Sequence, residues 1–273
     1  MYLMISLVTG GAGFIGSNLV DQLVAKGHKV IVLDNFVTGR KLNLAHHSKK
    51  KVKVIKVDIS DKKPLDKYFK KVKFVFHLAG LADIVPSIEN PEKYFKSNVM
   101  GTFNVIQAAN KVKIKKFIYA ASASCYGIPK KFPTSETDLI NPMYPYAFTK
   151  WQGEQLVMHW ANVYNLPAVS LRFFNCYGPR SRTSGAYGAV FGVFLAQKLK
   201  EKPLTIVGDG KQTRDFIHVN DLTKAVIKAA TSKKVKKIYN VASGKEVSVN
   251  KIAELIGGKK IIYLKDLESL IAH

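Results

Sequence analysis

A serine, a tyrosine and a lysine stand in an order that suits proton transfer. Ser122 lies in Ala120-Ala121-Ser122-Ala123-Ser124-Cys125-Tyr126-Gly127, and Tyr146 and Lys150 lie in Tyr144-Pro145-Tyr146-Ala147-Phe148-Thr149-Lys150. Tyr146 and Lys150 are i and i+4 in a stretch that reads as helix, so their side chains share a face. A tyrosine with its ordinary pKa of about 10 is a poor base at neutral pH. A neighbouring ammonium favours the phenolate and lowers that value, and Ser122 could then relay or share the hydrogen bond to a substrate hydroxyl. Taken alone, a Tyr/Lys pair at this spacing is a common surface pair. Its setting argues for chemistry: Ser122 falls at the carboxyl end of a predicted central strand, where ligands of open α/β sheets collect.

The second chemical stretch is Thr9-Gly10-Gly11-Ala12-Gly13-Phe14-Ile15-Gly16. An apolar run, Leu3–Val8, precedes it and suits a buried parallel strand. After it, Phe14, Ile15, Leu19, Val20 and Leu23 fall at helical spacing. A strand that turns through glycines into a helix presents backbone N–H groups and the positive end of the helix dipole to a pyrophosphate. The glycines stand at Gly10, Gly13 and Gly16, giving G-x-x-G-x-x-G rather than G-x-G-x-x-G. Glycines also cluster in ordinary turns, but the next strand, Lys29–Asp34, ends in an acid 18 residues after Gly16. That is close to the ~20 expected of the carboxylate that takes the adenosine ribose hydroxyls. A carboxylate there repels a 2′-phosphate, which favours NAD over NADP and is only weakly softened by Arg40. With a positively charged nicotinamide beside it, the Tyr146 phenolate would be favoured further.

The elements that must position these groups alternate along the chain. Strands are predicted at Val52–Asp58, Phe74–Ala79, Lys116–Ser122 and Ala168–Phe173, with helices at about 64–71, 92–112 (Pro91 just ahead) and 145–164. This order predicts an α/β fold, a Rossmann-type doubly wound parallel sheet over residues 1–174. Residues 175–273 are expected to form a smaller C-terminal substrate-binding lobe, interleaved with the last sheet strands. There Gly178–Gly188 reads as a loop, followed by a helix at 189–201, a strand at 204–208, a helix near 220–231, a strand at 238–242 and a helix near 249–256.

Composition narrows the function classes. The chain has 273 residues and a formal net charge of +24, and only five of its 43 basic residues are arginine. Lysines spread along the chain read as a solvated surface, whereas a nucleic-acid module would cluster arginine with aromatic residues. No specific nucleic-acid partner is expected, although the charge could steer an anionic substrate. No uncharged apolar run is long enough to span a membrane, and no signal sequence is visible. Two cysteines, Cys125 and Cys176, give no disulfide framework and fit a reducing cytoplasm. No CxxC or HExxH arrangement occurs and the seven histidines make no ligand pattern in sequence, so no metal is expected.

Taken together, Thr9–Gly16, His77-Leu78-Ala79-Gly80, Ser122 with Tyr126-Gly127, Tyr146–Lys150, Arg172-Phe173-Phe174-Asn175 with Tyr177-Gly178-Pro179-Arg180, and Arg214-Asp215-Phe216-Ile217-His218-Val219 resemble the extended short-chain dehydrogenase/reductases. Within these the chain is similar to the NAD-dependent UDP-sugar 4-epimerases, of the UDP-glucose 4-epimerase type, from residue 3 to about 257. The resemblance implies Tyr146 as base, Ser122 beside it and Lys150 bridging the nicotinamide ribose. It implies an NAD site lined by Gly10, Gly13, Phe14, Ile15, Gly16, Asp34, Asn35, Thr38, Gly39, Asp58, Ile59, Leu78, Ala79, Gly80, Asn98, Lys150 and Phe174. Asn175 and Arg214 would hold the diphosphate of a UDP-hexose substrate bound also by Ser122 and Tyr146, and Leu204–Ile206 would edge the uracil. A homodimer is implied as well, because related enzymes pair the helices here predicted at 92–112 and 145–164 into an intermolecular four-helix bundle. Both helices carry more apolar surface than one sheet-facing stripe needs, including Tyr94, Phe95, Val99, Phe103, Val105, Ile106, Trp151, Leu156, Val157 and Trp160.

Two departures bear on the activity. Dehydratases of the family carry an Asp-Glu pair directly after the strand-end serine or threonine, and here those positions are Ala123 and Ser124. Family members usually continue for tens of residues with an arginine-bearing segment that closes over the nucleotide, whereas this sequence stops at His273 after Leu264-Lys265-Asp266-Leu267-Glu268. The expected function is 4-epimerisation through a 4-keto sugar and one retained NAD. A sugar-nucleotide oxidoreductase or decarboxylase, and an NAD-binding protein short of its lid, are the alternatives.

Overall fold

The computed structural model describes residues 4–61, 64–182, 190–257 and 260–264. Two compact units emerge, one of Met1–Phe174 with Val219–Val241 and one of Asn175–His218 with Ala242–His273. The lobe expected over 175–273 therefore lends its middle, Val219–Val241, to the first unit.

In the first unit the chain runs β1 (Ile5–Thr9), α1 (Phe14–Ala25), β2 (Lys29–Asp34), β3 (Val52–Lys56), α2 (Asp66–Phe69), β4 (Phe74–His77), α3 (Ile84–Glu89), α4 (Pro91–Tyr94), α5 (Gly101–Asn110), β5 (Lys116–Ser122), α6 (Pro145–Val163) and β6 (Ala168–Phe173). In the second unit come β7 (Asn175–Tyr177), α7 (Val190–Leu199), β8 (Leu204–Val207) and β9 (Thr213–His218). The first unit then resumes with α8 (Val219–Thr231) and β10 (Lys237–Val241). The second closes with β11 (Glu246–Ser248), α9 (Val249–Ile256) and β12 (Ile261–Leu264).

Among the described residues the first unit holds a seven-stranded, all-parallel sheet in the order β10-β6-β5-β4-β1-β2-β3. This is the doubly wound order 3-2-1-4-5-6 with one further strand on the β6 edge. Its central strands are buried on both faces, which is why they read as near-continuous apolar runs. Phe69, Val105, Ile106, Phe117, Tyr119 and Val157 pack where α5 and α6 cover one face. Helices α1 and α8 pack against each other, with Gln22 Nε2 donating to Thr223 Oγ1 at 2.6 Å.

Several elements differ from their sequence reading. The helix expected over 64–71 is the single turn α2, and the one over 92–112 is three pieces, in which a π-helical turn (Phe95–Met100) joins α4 to α5. Periodicity does not show strands β7, β9, β11 and β12, because they are three to six residues long and lie in small sheets without two apolar faces. In the second unit β9 pairs with β7 and β11, β8 pairs with β12, and Phe194, Leu204, Ile206, Ile252 and Ala253 form the core. Of the loop expected over Gly178–Gly188, residues 183–188 lie outside the described residues, as do 258–259 and 265–273 of the tail.

The ends of β1 and β4 are tied by a buried polar chain. His77 Nδ1 lies 2.7 Å from Thr9 Oγ1, and its Nε2 lies 2.8 Å from Thr102 Oγ1. Thr102 Oγ1 donates to Asn98 O, so it accepts from His77 Nε2–H, and Thr9 donates to Nδ1. Burial, with help from the Lys150 charge, pushes the His77 pKa down to about 3. The unfolded chain therefore binds a proton between pH 3 and 6.5 that the folded chain refuses, and stability falls as pH drops through that window. The slope is about 1.4 kcal/mol per pH unit for one proton. His77→Asn should cost stability at pH 7, but its deficit in urea unfolding should shrink by roughly 2 kcal/mol at pH 5. A deficit that does not change with pH would show that His77 titrates normally.

Candidate active site

The residues singled out for chemistry in the first unit collect at the carboxyl ends of its parallel strands. Gly10 sits at φ +68°, and a Cβ there would stand 2.8 Å from Ala79 Cα. A Cβ on Gly16 would collide with Gly10 O, so the turn closes only with glycine at both positions. Gly13 precedes α1 as its N-cap, with no side-chain cap and no acid in the first turn, so among the described residues no side chain competes with an anion for the first-turn N–H groups. Asp34, at the end of β2, accepts from Ala12 N (2.9 Å) and Phe36 N (2.8 Å). It thus braces the glycine loop.

Asn35 donates to Asp58 at 2.8 Å, and Thr38 and Gly39 follow in the loop beside Asp34. Burial opposes the charge on Asp58, but hydrogen bonds from Ser60 and Asn35 together with Lys96 hold its carboxyl below the usual range. Leu78, Ala79 and Gly80 form the half-buried turn after β4, and Phe174 is half-buried after β6. Two expected lining residues play another part. The Ile59 side chain packs into the core against Gly101, leaving only its backbone toward the strand ends. Asn98, in the π-helical turn, is buried: its Oδ1 accepts from Leu81 N, and its Nδ2 donates to Leu81 O and Thr149 Oγ1. It fixes the turn after β4 to α6 and positions the site. Single-turn π bulges recur at functional sites for this kind of reason.

Ser122 ends β5, and its Oγ lies 2.7 Å from Ser124 Oγ. Both hydroxyls act on the Tyr146 phenol, drawing its pKa down, yet burial outweighs them and the net shift is upward. The Lys150 ammonium stands over the Tyr119 ring, 4.6 Å from its centroid. Burial brings the Lys150 pKa down to about 8 against the pull of the Glu154 charge. Lys150 Nζ finds no hydrogen-bond acceptor among the described residues, although the side chain is buried. An ammonium without an acceptor at the end of a buried side chain is the partner a ribose diol requires, so the residues present fit a dinucleotide.

Several positioning residues have no signal in spacing. Ser87 Oγ accepts Tyr146 N at 3.0 Å and so holds the first turn of α6. Glu154, one turn beyond Lys150, accepts from Arg172 Nε (3.1 and 3.2 Å), Arg172 Nη2 (2.6 Å) and Ser170 Oγ (2.8 Å). Arg172 Nη1 continues to Tyr126 OH at 2.7 Å, which binds the turn after Ser122 to the same clamp. A Cβ on Gly153 would meet the Tyr119 hydroxyl, so α6 lies as close to β5 as backbone allows. The Cys125 thiol is pushed up to about 12 by burial and is no nucleophile.

The remaining site residues lie in the second unit. Asn175 Nδ2 donates to Asp215 O at 2.9 Å, and the exposed Arg214 donates to Thr213 O at 2.7 Å. The Leu204 and Ile206 side chains are buried in that unit's core, so an edge along the uracil would fall to the backbone of β8. Between them Thr205 is held by Gln197, its Oγ1 accepting from Nε2 at 2.6 Å and its N–H donating to Oε1 at 3.1 Å.

Asp34→Asn keeps the shape of the loop and removes the charge. It should weaken NAD binding about tenfold, the worth of about 1.4 kcal/mol, and narrow the preference for NAD over NADP in fluorescence titrations. An unchanged ratio of the two affinities would remove the discriminating role from Asp34.

Comparison with known proteins agrees with this geometry. Residues 6–242 match the NAD dependent epimerase/dehydratase family. A UDP-glucose 4-epimerase of Mycolicibacterium smegmatis is 36% identical over 93% of this chain and 82% of its own length. UDP-glucuronic acid decarboxylase 2 of Arabidopsis thaliana is 37% identical over 92% of this chain and 56% of its own. Among solved structures, a UDP-N-acetylglucosamine 4-epimerase from Methanobrevibacter ruminantium M1, in complex with UDP-N-acetylmuramic acid, superposes with a TM-score of 0.93. It is 35% identical, covering 97% of this chain and 86% of that one. The chain belongs to the NAD dependent epimerase/dehydratase family, and NAD is its cofactor.

Proposed function

We propose that the protein inverts C4 of a UDP-hexose. The observation that carries this reading is the neutral hydroxyl cluster of Ser122, Ser124 and Tyr146, with no carboxylate at positions 123 and 124. Elimination of water from a sugar needs an added acid and base, and these positions supply neither. Inversion needs only one group that takes and returns a proton at the 4-hydroxyl. Bound NAD supplies the hydride acceptor at the sugar carbon and a positive charge beside the phenol. Tyr146 removes the hydroxyl proton and later returns it. Ser122, held by Ser124, shares the hydrogen bond, and Lys150 meets the ribose hydroxyls. Asn175 and Arg214 are the diphosphate contacts in this reading.

Decarboxylation is the second reading, favoured by the identity to plant UDP-glucuronic acid decarboxylases. Once a keto group stands at C4, a carboxylate on C5 is that of a β-keto acid and can leave as CO2 without a further acid or base. The same site thus supports either outcome, and the sugar decides. Incubation with UDP-glucose, UDP-galactose, their N-acetyl forms and UDP-glucuronate, with product analysis, separates them. Epimer pairs from neutral sugars support the proposal, and a pentose formed from the glucuronate alone overturns it. Tyr146→Phe should lower turnover by 10²–10⁴, the range typical of a general base (roughly), and leave NAD bound. A loss of only tenfold would contradict the role.

We also propose a homodimer. Tyr94, Val99, Val105, Ile106 and Val157 pack inside the subunit, so part of the apolar excess on these helices is internal. Phe95, Met100, Met143, Tyr144 and Phe148 remain exposed, and several of them line a cleft of about 440 Å³ with Pro91 and Pro145. An apolar patch of this kind marks an interaction surface. Light scattering at micromolar concentration should give twice the chain mass, and a monomer mass would overturn the proposal.

A further inference from the structure

Asp21, His46 and His47 take no part in the chemistry above. Asp21 lies on α1, and the two histidines follow a 3-10 turn at Lys41–Leu44. His46 Nε2 is 2.9 Å and His47 Nε2 is 2.7 Å from the same oxygen, Asp21 Oδ1. The rings stand 4.0 Å apart, and the three donor atoms lie within 4.8 Å of one another. A His–Asp hydrogen bond needs one ring. Here two adjacent residues, whose side chains could diverge, both turn Nε2 inward.

We propose that Asp21, His46 and His47 bind a divalent transition-metal ion, with Zn²⁺ the first to test, as a clip between α1 and the segment after Asp34. Imidazole with carboxylate is the donor set that suits Zn²⁺ and its neighbours rather than Mg²⁺ or Ca²⁺. With metal–ligand bonds of about 2.0–2.2 Å, donor atoms of a tetrahedral site stand roughly 3.3 Å apart. Opening the two His–Asp distances by about half an ångström, with the two ring nitrogens, which lie within 4.8 Å, drawn to the same separation, therefore admits the ion. Each neutral ring then carries its proton on Nδ1 and offers the Nε2 lone pair, with no redox change. His47 and Asp21 are shielded (10% and 30% exposed) while His46 is half open, which leaves a face for water as fourth ligand.

The clip has a structural consequence. Arg40 N (3.0 Å) and Asn43 Nδ2 (2.8 Å) both hold Ala12 O, in the middle of the glycine loop. An ion that ties His46 and His47 to α1 fixes the segment that carries these two contacts.

The test uses untagged, chelator-treated protein titrated with ZnCl₂ and, separately, CoCl₂. We expect one equivalent to bind by calorimetry, visible absorption of four-coordinate Co²⁺, and a Tm higher by about 5–10 °C when free Zn²⁺ is a hundredfold above Kd. Asp21→Asn and His47→Gln should abolish the signal. His46→Gln, at the half-exposed position, should leave the metal-free Tm unchanged and weaken binding by more than the roughly tenfold that loss of even an outer-shell partner costs. Failure of the intact chain to bind one equivalent saturably, or equal binding by His46→Gln and Asp21→Asn, would overturn the proposal. The three residues would then be an ion pair only.

Discussion

The placement of α6 governs the rest of the site, and a buried ion pair sets it. Glu154 and Arg172 are both withdrawn from water, which is tolerable only because nearly every polar atom finds a partner. Glu154 accepts from Arg172 and Ser170 on β6, and Arg172 reaches on to Tyr126 in the turn that follows Ser122. One clamp therefore joins the helix that carries Tyr146 and Lys150 to the turn that carries Ser122 and Ser124. Removing one partner of such a pair costs about 3–5 kcal/mol, because the other charge is left buried. Tyr119 against Gly153 provides the steric half of the same constraint.

The clamp also has an electrostatic role. Lys150 is buried over the Tyr119 ring, and the His77 imidazole beyond it is held neutral between Thr9 and Thr102. Glu154, one helical turn away, is the compensating charge for Lys150. Among the described residues the ammonium has no hydrogen-bond acceptor, and a dinucleotide ribose would supply two. Asn98 joins the turn after β4 to Thr149 on α6, so the dinucleotide side and the Ser122 side share one rigid frame.

Relatives of one architecture are named for epimerisation and for decarboxylation, as expected when a fold hosts sites rather than dictating them. The oxidation step is common to both. What would divide them is the group on C5 of the sugar, whereas the side chains directly after the strand-end serine bear on elimination of water. In this protein those side chains are Ala123 and Ser124, and Ser124 serves to hold Ser122.

The amino-acid sequence by itself determined the parallel sheet, the glycine turn, Asp34 and the Ser122, Tyr146 and Lys150 set. Each rests on local spacing: apolar runs for strands buried on both faces, glycine where no Cβ fits, i and i+4 on a helix. Only tertiary structure decided that Lys150 sits over the Tyr119 ring, that Asn98 ties Leu81 to Thr149, and that the Leu204 and Ile206 side chains are core. Their neighbours come from distant parts of the chain, and periodicity carries no information about which buried partner a polar group meets. Short strands such as β7 and β9 were invisible for a related reason, since their pairing rather than their composition makes them strands. The convergence of His46 and His47 on Asp21 is likewise a property of the fold, because packing against α1 closes sequence separations of 25 and 26.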